Sequence, residues 1–134
     1  MRASAVAVAA LALSFVLAGC GLGVQSPDLF VLTRTGQSRA LTMLVNDGGT
    51  IRCNGARAKP LSDRLLIDAR QLASDLGKDA QARLRITPGA STVYAYTIKL
   101  QSGTISFPDT AGASHPELAR AEQFALQAAQ GPCM

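Results

Sequence analysis

Proton transfer, nucleophilic attack and metal binding each need particular side chains, and this 134-residue chain is sparing with all of them. It has one histidine, His115, three cysteines, Cys20, Cys53 and Cys133, and nine carboxylates. A histidine acting as general base needs an orienting carboxylate and a nucleophile within hydrogen-bond reach. Asp109, Ser106 and Ser114 stand near His115 in sequence, but no motif unites them. His115 therefore reads as an exposed residue at a helix start. Asp63, Asp68, Asp75 and Asp79 follow one another with Arg64 and Arg70 among them, the pattern of a solvated face rather than of an acid pair or metal cluster. Gly48-Gly49 falls in a hairpin, whereas a phosphate loop lies between a strand and a helix. Tyr94 and Tyr96 alternate along a strand pattern and read as sheet packing rather than as a ligand platform. The expectation is a non-enzyme, with no catalytic residue, metal or cofactor.

Cys20 is the exception. Met1-Arg2 is followed by an apolar run from Ala3 to Ala18, whose only neighbouring charge is Arg2. The run falls short of the roughly 20 apolar residues a membrane-spanning helix needs and has the length and flanks of a secretory signal. It ends in Leu17-Ala18-Gly19-Cys20, which resembles the lipobox of bacterial lipoproteins. That resemblance implies cleavage between Gly19 and Cys20 and a diacylglycerol thioether on the Cys20 thiol. Two or three acyl chains anchor stably where one is marginal. Residues 1–19 are then a removed signal, and residues 20–28 are a lipidated tether containing Gly, Ser and Pro. The expected location is the extracytoplasmic side of the cell membrane.

With Cys20 taken by lipid, Cys53 and Cys133 remain as an even pair in an oxidising compartment, and a disulfide between them is expected. A redox or metal pair is the weaker alternative, because no CxxC spacing exists. The formal net charge is +4, or one less without Arg2. Arg34, Arg39, Arg52, Arg57 and Lys59 lie in a stretch whose only acid is Asp47. Such a surface suits either solvent or anionic lipid headgroups. Nucleic acid is not an expected partner, since no stacking aromatics stand among these residues and no nucleic-acid module is present.

The remaining chain, 29–134, reads as one small domain. Leu29–Thr35 and Arg39–Asn46 alternate as strands, with Leu41, Met43 and Val45 on one face. Asn46-Asp47-Gly48-Gly49 is a hairpin signal into a short strand, Thr50–Cys53. Ser62–Leu76 has Leu65, Ala69, Leu72 and Leu76 at helical spacing, a Ser62 cap and a Gly77 stop. Residues 78–91 read as a surface connection, with a short strand near Leu84 and Ile86. Val93–Leu100 and Thr104–Phe107 form a second hairpin through Gln101-Ser102-Gly103. Ser114 and Glu117 suggest a capping box for a helix that buries Leu118, Ala121, Phe124, Ala125 and Ala128. The order ββ(β)-α-ββ-α implies an α+β fold, an antiparallel sheet of about five strands with two helices on one face. The other face stays open to solvent or to a partner.

The stretches "LFVLTRTGQSRALTMLV", "VYAYTIKLQSGTISFPD" and "HPELARAEQFAL" resemble emfourin-like proteins, small inhibitors of thermolysin-type metalloproteases. The resemblance implies a strand near Thr-Arg-Thr-Gly, a Tyr-bearing hairpin and a closing helix. It carries over no inhibitory residues, and the cysteine pair and lipobox depart from it. The leading expectation is a membrane-anchored, non-catalytic domain that binds a protein or cell-envelope component. Its binding surface is either the open sheet face or the hairpin tips at Asp47–Gly49 and Gln101–Gly103. The alternatives are inhibition of a secreted metalloprotease, then a small-ligand carrier or an unrecognised enzyme.

Overall fold

The structure is a computed structural model that describes residues 28–134. The expected signal (residues 1–19), Cys20 and the expected tether as far as Pro27 lie outside the described residues.

The alternating stretches fold into strands because β-branched and aromatic residues suit a pleated, half-buried surface. They are β1 (Asp28–Gly36), β2 (Leu41–Asn46), β3 (Thr50–Cys53), β4 (Lys59–Pro60), β5 (Tyr94–Leu100) and β6 (Gly103–Pro108). The sheet has six strands in the order β4-β3-β2-β1-β5-β6, with every neighbouring pair antiparallel. The fold class is α+β as expected, with one strand more than the five counted from the pattern. That extra strand, β4, is a two-residue edge piece, too short for alternation to reveal. Pro60 and Lys59 also blunt this edge against pairing with another chain. At the opposite edge the backbone of Leu84–Ile86 runs parallel to β6, with Ile86 N donating to Ser106 O and Ser106 N to Leu84 O.

Three helices follow: α1 (Asp63–Asp75), α2 (Gly77–Gln81) and α3 (Pro116–Ala129), with a 3-10 turn at Asp109–Ala113. Ser62 caps α1 through its side chain, which accepts from Leu65 N at 3.3 Å. Gly77 does not stop the helical path. Leu76 keeps right-handed angles and α2 begins at once, because Leu76 and Ala80 both have core to reach. The expected capping box at Ser114 is absent. His115 is the N-cap residue and makes no side-chain cap bond. Pro116 at the first turn supplies the helical φ and has no N–H to satisfy.

Phe30, Leu32, Leu41, Met43, Val45, Ile51, Tyr96, Ile98, Ile105 and Phe107 point from the sheet into one core with Ala69, Leu72 and Leu76 of α1 and the expected stripe of α3. Phe30 meets Phe124 edge-on at 5.5 Å between ring centroids, and Tyr96 stacks on Phe107 at 5.2 Å. Cys53 and Cys133 are joined by a disulfide across a sequence separation of 80, with Cα atoms 5.6 Å apart. The bond fastens the tail after α3 to β3.

Candidate functional site

Each strand sends alternate side chains to opposite faces, so the core-facing set leaves a complementary set on the uncovered face. The strand registers place Arg52, Leu44, Val31, Lys99 and Thr104 in one row across five strands. A second row holds Thr42, Thr33, Thr97 and Ser106, and continues to Arg85 beside Ser106. Thr33 and Thr42 hydroxyls lie 3.4 Å apart. Adjacent strands are about 4.8 Å apart, so the four hydroxyls span roughly 14 Å. Arg52, Arg85, Lys99 and Thr104 are exposed, while the inner members of the rows are half-buried by one another.

The carboxylates are unevenly divided between the two layers. Seven of the nine carboxylates, Asp63, Asp68, Asp75, Asp79, Asp109, Glu117 and Glu122, belong to the helices and the 3-10 turn. The other two are engaged at one end of the sheet. Asp28 accepts from the Asn46 amide, and Asp47 pairs with Arg70 of α1 at 2.6 Å. The middle of the open face therefore carries Arg52, Lys99 and Arg85 without a carboxylate in either row.

The hairpin tips are fastened to the helical layer. Asp47 holds Arg70 through both its side chain and its carbonyl, Leu61 N donates to Gly49 O, and Gly49 sits against Leu66. At the second tip, Ser102 donates to Gly77 O. Gly103, with φ +154°, lies so close to the Ala80 carbonyl that a Cβ would collide with it. Both tips act as struts between sheet and helices, and of the expected binding surfaces the open face is the free one.

His115 is less isolated than its sequence context implies. Its Nδ1 lies 3.4 Å from Glu117 Oε1, and its side chain is 38% exposed. Burial, then the charge and hydrogen bond of Glu117, raise the Asp79 carboxyl above its usual range, with His115 opposing. Ser106 belongs to β6 and pairs with the Leu84–Ile86 segment, while Asp109 accepts from Val93 N and Tyr94 N. Neither has an interaction with His115. The aspartate series is also more than a solvated face, because Asp75 accepts from Gln71 and pairs with Arg120, tying α1 to α3.

A second polar cluster lies where β1, β5, the 3-10 turn and α3 converge, and the sequence reading missed it. Arg34 continues the inward parity of Phe30 and Leu32, and its guanidinium lies 4.8 Å over the Tyr94 ring. Glu122 adjoins the buried stripe of α3, and a Cβ on Gly112 would stand 3.2 Å from its Oε1. Burial and then the charge of Asp109 push the Glu122 carboxyl up to about 7. Burial, followed by Glu122, pushes the Tyr96 phenol up to about 12. The strand parity of Arg34 and the helical spacing of Glu122 were the available signals.

Between α1 and α3 a cleft of about 200 Å³ has Leu72 and Phe124 at its floor and Arg64, Gln71, Gln123 and Gln127 on its walls. Small-molecule sites usually enclose about 300 Å³ or more. Among the described residues no group of three or more His, Cys, Asp or Glu is arranged to hold a metal, and no helix is long and apolar enough to cross a membrane. No known protein family, curated protein or solved structure matches the chain.

Proposed function

We propose that this protein is a membrane-anchored extracytoplasmic lipoprotein that binds a cell-envelope component without catalysis. Cys20 carries the lipid, and the open sheet face is the binding surface. One structural observation supports the binding role most directly: among the described residues, the two central rows of the face opposite the helices present hydroxyls and the cations Arg52, Lys99 and Arg85 with no carboxylate in either row, Asp28 lying at the sheet end. Such a face matches an anionic, oxygen-rich partner, because cations and hydroxyl donors both satisfy phosphate or carboxylate oxygens. Thr, Arg and Lys here have no core to serve.

The test is fractionation of bacteria expressing the full chain and its Cys20→Ser variant. The wild-type chain should partition with membranes and show by mass spectrometry a diacylglyceryl-modified Cys20 at its new N-terminus. The variant should leave the membrane fraction. An unmodified Cys20 in the mature chain would overturn the anchor. For the binding role, the folded domain is immobilised and exposed to envelope extract and secreted proteins. Retention of envelope material is expected. A secreted metalloprotease retained instead, and inhibited in solution, would replace the binding role by the inhibitor reading.

A further inference from the structure

The open face, in combination with the tether, defines how the domain sits. We propose that the sheet face docks flat on the anionic phospholipid headgroups of the membrane that anchors the chain, so that the helical layer faces away from the bilayer. This deepens the anchored-lipoprotein reading and rests on it.

The geometry supports a bilayer as occupant. Arg52 lies on β3, Lys99 on β5 and Arg85 beyond β6, so the cations are spread from near one edge of the sheet to the other. A lipid leaflet offers phosphates over the same breadth. Leu44 and Val31 lie between Arg52 and Lys99, and in the adjacent row, which ends at Arg85, Thr42, Thr33, Thr97 and Ser106 supply hydroxyl donors at strand spacing. Seven of the nine carboxylates, which such a surface would repel, lie in the opposite layer, and the other two, Asp28 and Asp47, are at one end of the sheet, engaged by Asn46 and Arg70. Seven residues, 21–27, lie between Cys20 and Asp28. Even fully extended, that stretch reaches at most about 29 Å, so a chain anchored at Cys20 holds the domain near the surface before any docking contact forms.

Each basic residue at an anionic leaflet is worth about 1 kcal/mol. Three of them favour the docked state by roughly a hundredfold, which is weak for a free protein and enough to orient a tethered one. The attraction is screened within about 8 Å at physiological salt.

The experiment uses residues 28–134 without lipid, since the sheet, the core and the disulfide all lie within that segment. Flotation is measured with phosphatidylcholine vesicles containing 0 to about half phosphatidylglycerol at low salt. Binding should rise with phosphatidylglycerol, fall with added salt, and drop at least tenfold in Arg52→Gln/Lys99→Gln/Arg85→Gln. Arg64→Gln on α1 should bind as wild type, and an unchanged thermal midpoint confirms folding of each variant. Two results overturn the proposal: no preference for anionic vesicles, or equal binding by the triple variant. Retention by a soluble phosphate polymer but not by vesicles would also overturn it and assign the face to an envelope polymer. Because the piece lacks Cys20, none of these outcomes depends on lipidation, which the Cys20→Ser fractionation decides separately.

Discussion

At the scale of single residues, Glu122 is the most consequential side chain that the sequence did not single out. Its carboxyl is raised to about 7, first by burial and then by Asp109. The unfolded chain binds its proton with an ordinary carboxyl pKa of about 4.3. Between these two values the folded state holds a proton that the unfolded state has released, so stability is greatest at acidic pH and declines as pH rises toward and through 7. Asp79, raised in the same direction, adds to the decline on the acid side. After discounting for solvent screening, the Glu122 contribution is about 1 kcal/mol. Urea midpoints at pH 5, 6, 7 and 8 should fall from pH 5 to 7 for the wild type and level off by pH 8. Glu122→Gln should flatten the slope between pH 5 and 7, and an unchanged slope there would show that the carboxyl titrates normally.

Legibility differed at the same scale. The buried stripe of α3, the pairing of Cys53 with Cys133 and the Ser62 cap could all be read from spacing or residue type, because each follows from local periodicity or counting. The polar cluster of Arg34, Tyr94, Tyr96, Asp109 and Glu122 is assembled from β5, the 3-10 turn and α3 together with β1, which lies far earlier in the chain. Nothing local announces such a meeting. His115 was legible as a helix-start residue, and its contact with Glu117 is local to the first turn of α3, but the proximity of Asp79 depends on α2, which Gly77 concealed.

At the scale of elements, the two hairpins and the disulfide share one task, which is to bind the sheet to the helical layer at its margins. Asp47 with Arg70 and Ser102 with Gly77 do so at the tips. The Cys53–Cys133 bond does so at the tail after α3. In the chain-entropy account a closed loop of this length contributes about 4 kcal/mol by restricting the unfolded chain. Cys53→Ser/Cys133→Ser should therefore melt well below the wild type, and a reductant should lower the wild-type midpoint while leaving the variant unchanged. Equal midpoints in wild type and variant would show that packing of α3 alone holds the tail. The strand and helix pattern was legible here, whereas β4 was not. A two-residue strand is defined by its partner rather than by its own sequence.

At the scale of the whole molecule, the uneven division of carboxylates between layers is the property that individual residues do not disclose. The composition gives only a modest net charge of +4. Folding sorts it into an uncovered face whose central rows are cationic and a helical layer that bears most of the carboxylates. The lysines allow this to be read directly, because the chain has only Lys59, Lys78 and Lys99. Lys99 lies on the open face, Lys78 on α2, and Lys59 reaches the Met134 carbonyl at the edge. On the proposed anchoring and docking, acylation should be slowed at Lys99 on anionic bilayers and unchanged at Lys78. Equal slowing at both would indicate burial without orientation.

The position of β1 has a mechanical consequence. The chain enters the fold at Asp28 and runs directly into β1, which lies between β2 and β5 and is antiparallel to both. A pull transmitted through the segment before Asp28 acts along that strand and loads two ladders of hydrogen bonds in shear. An edge strand pulled outward unzips one bond at a time, whereas bonds loaded in shear must yield together. In a chain anchored through Cys20 as proposed, a partner that tugs on the domain would load β1 in this resistant mode.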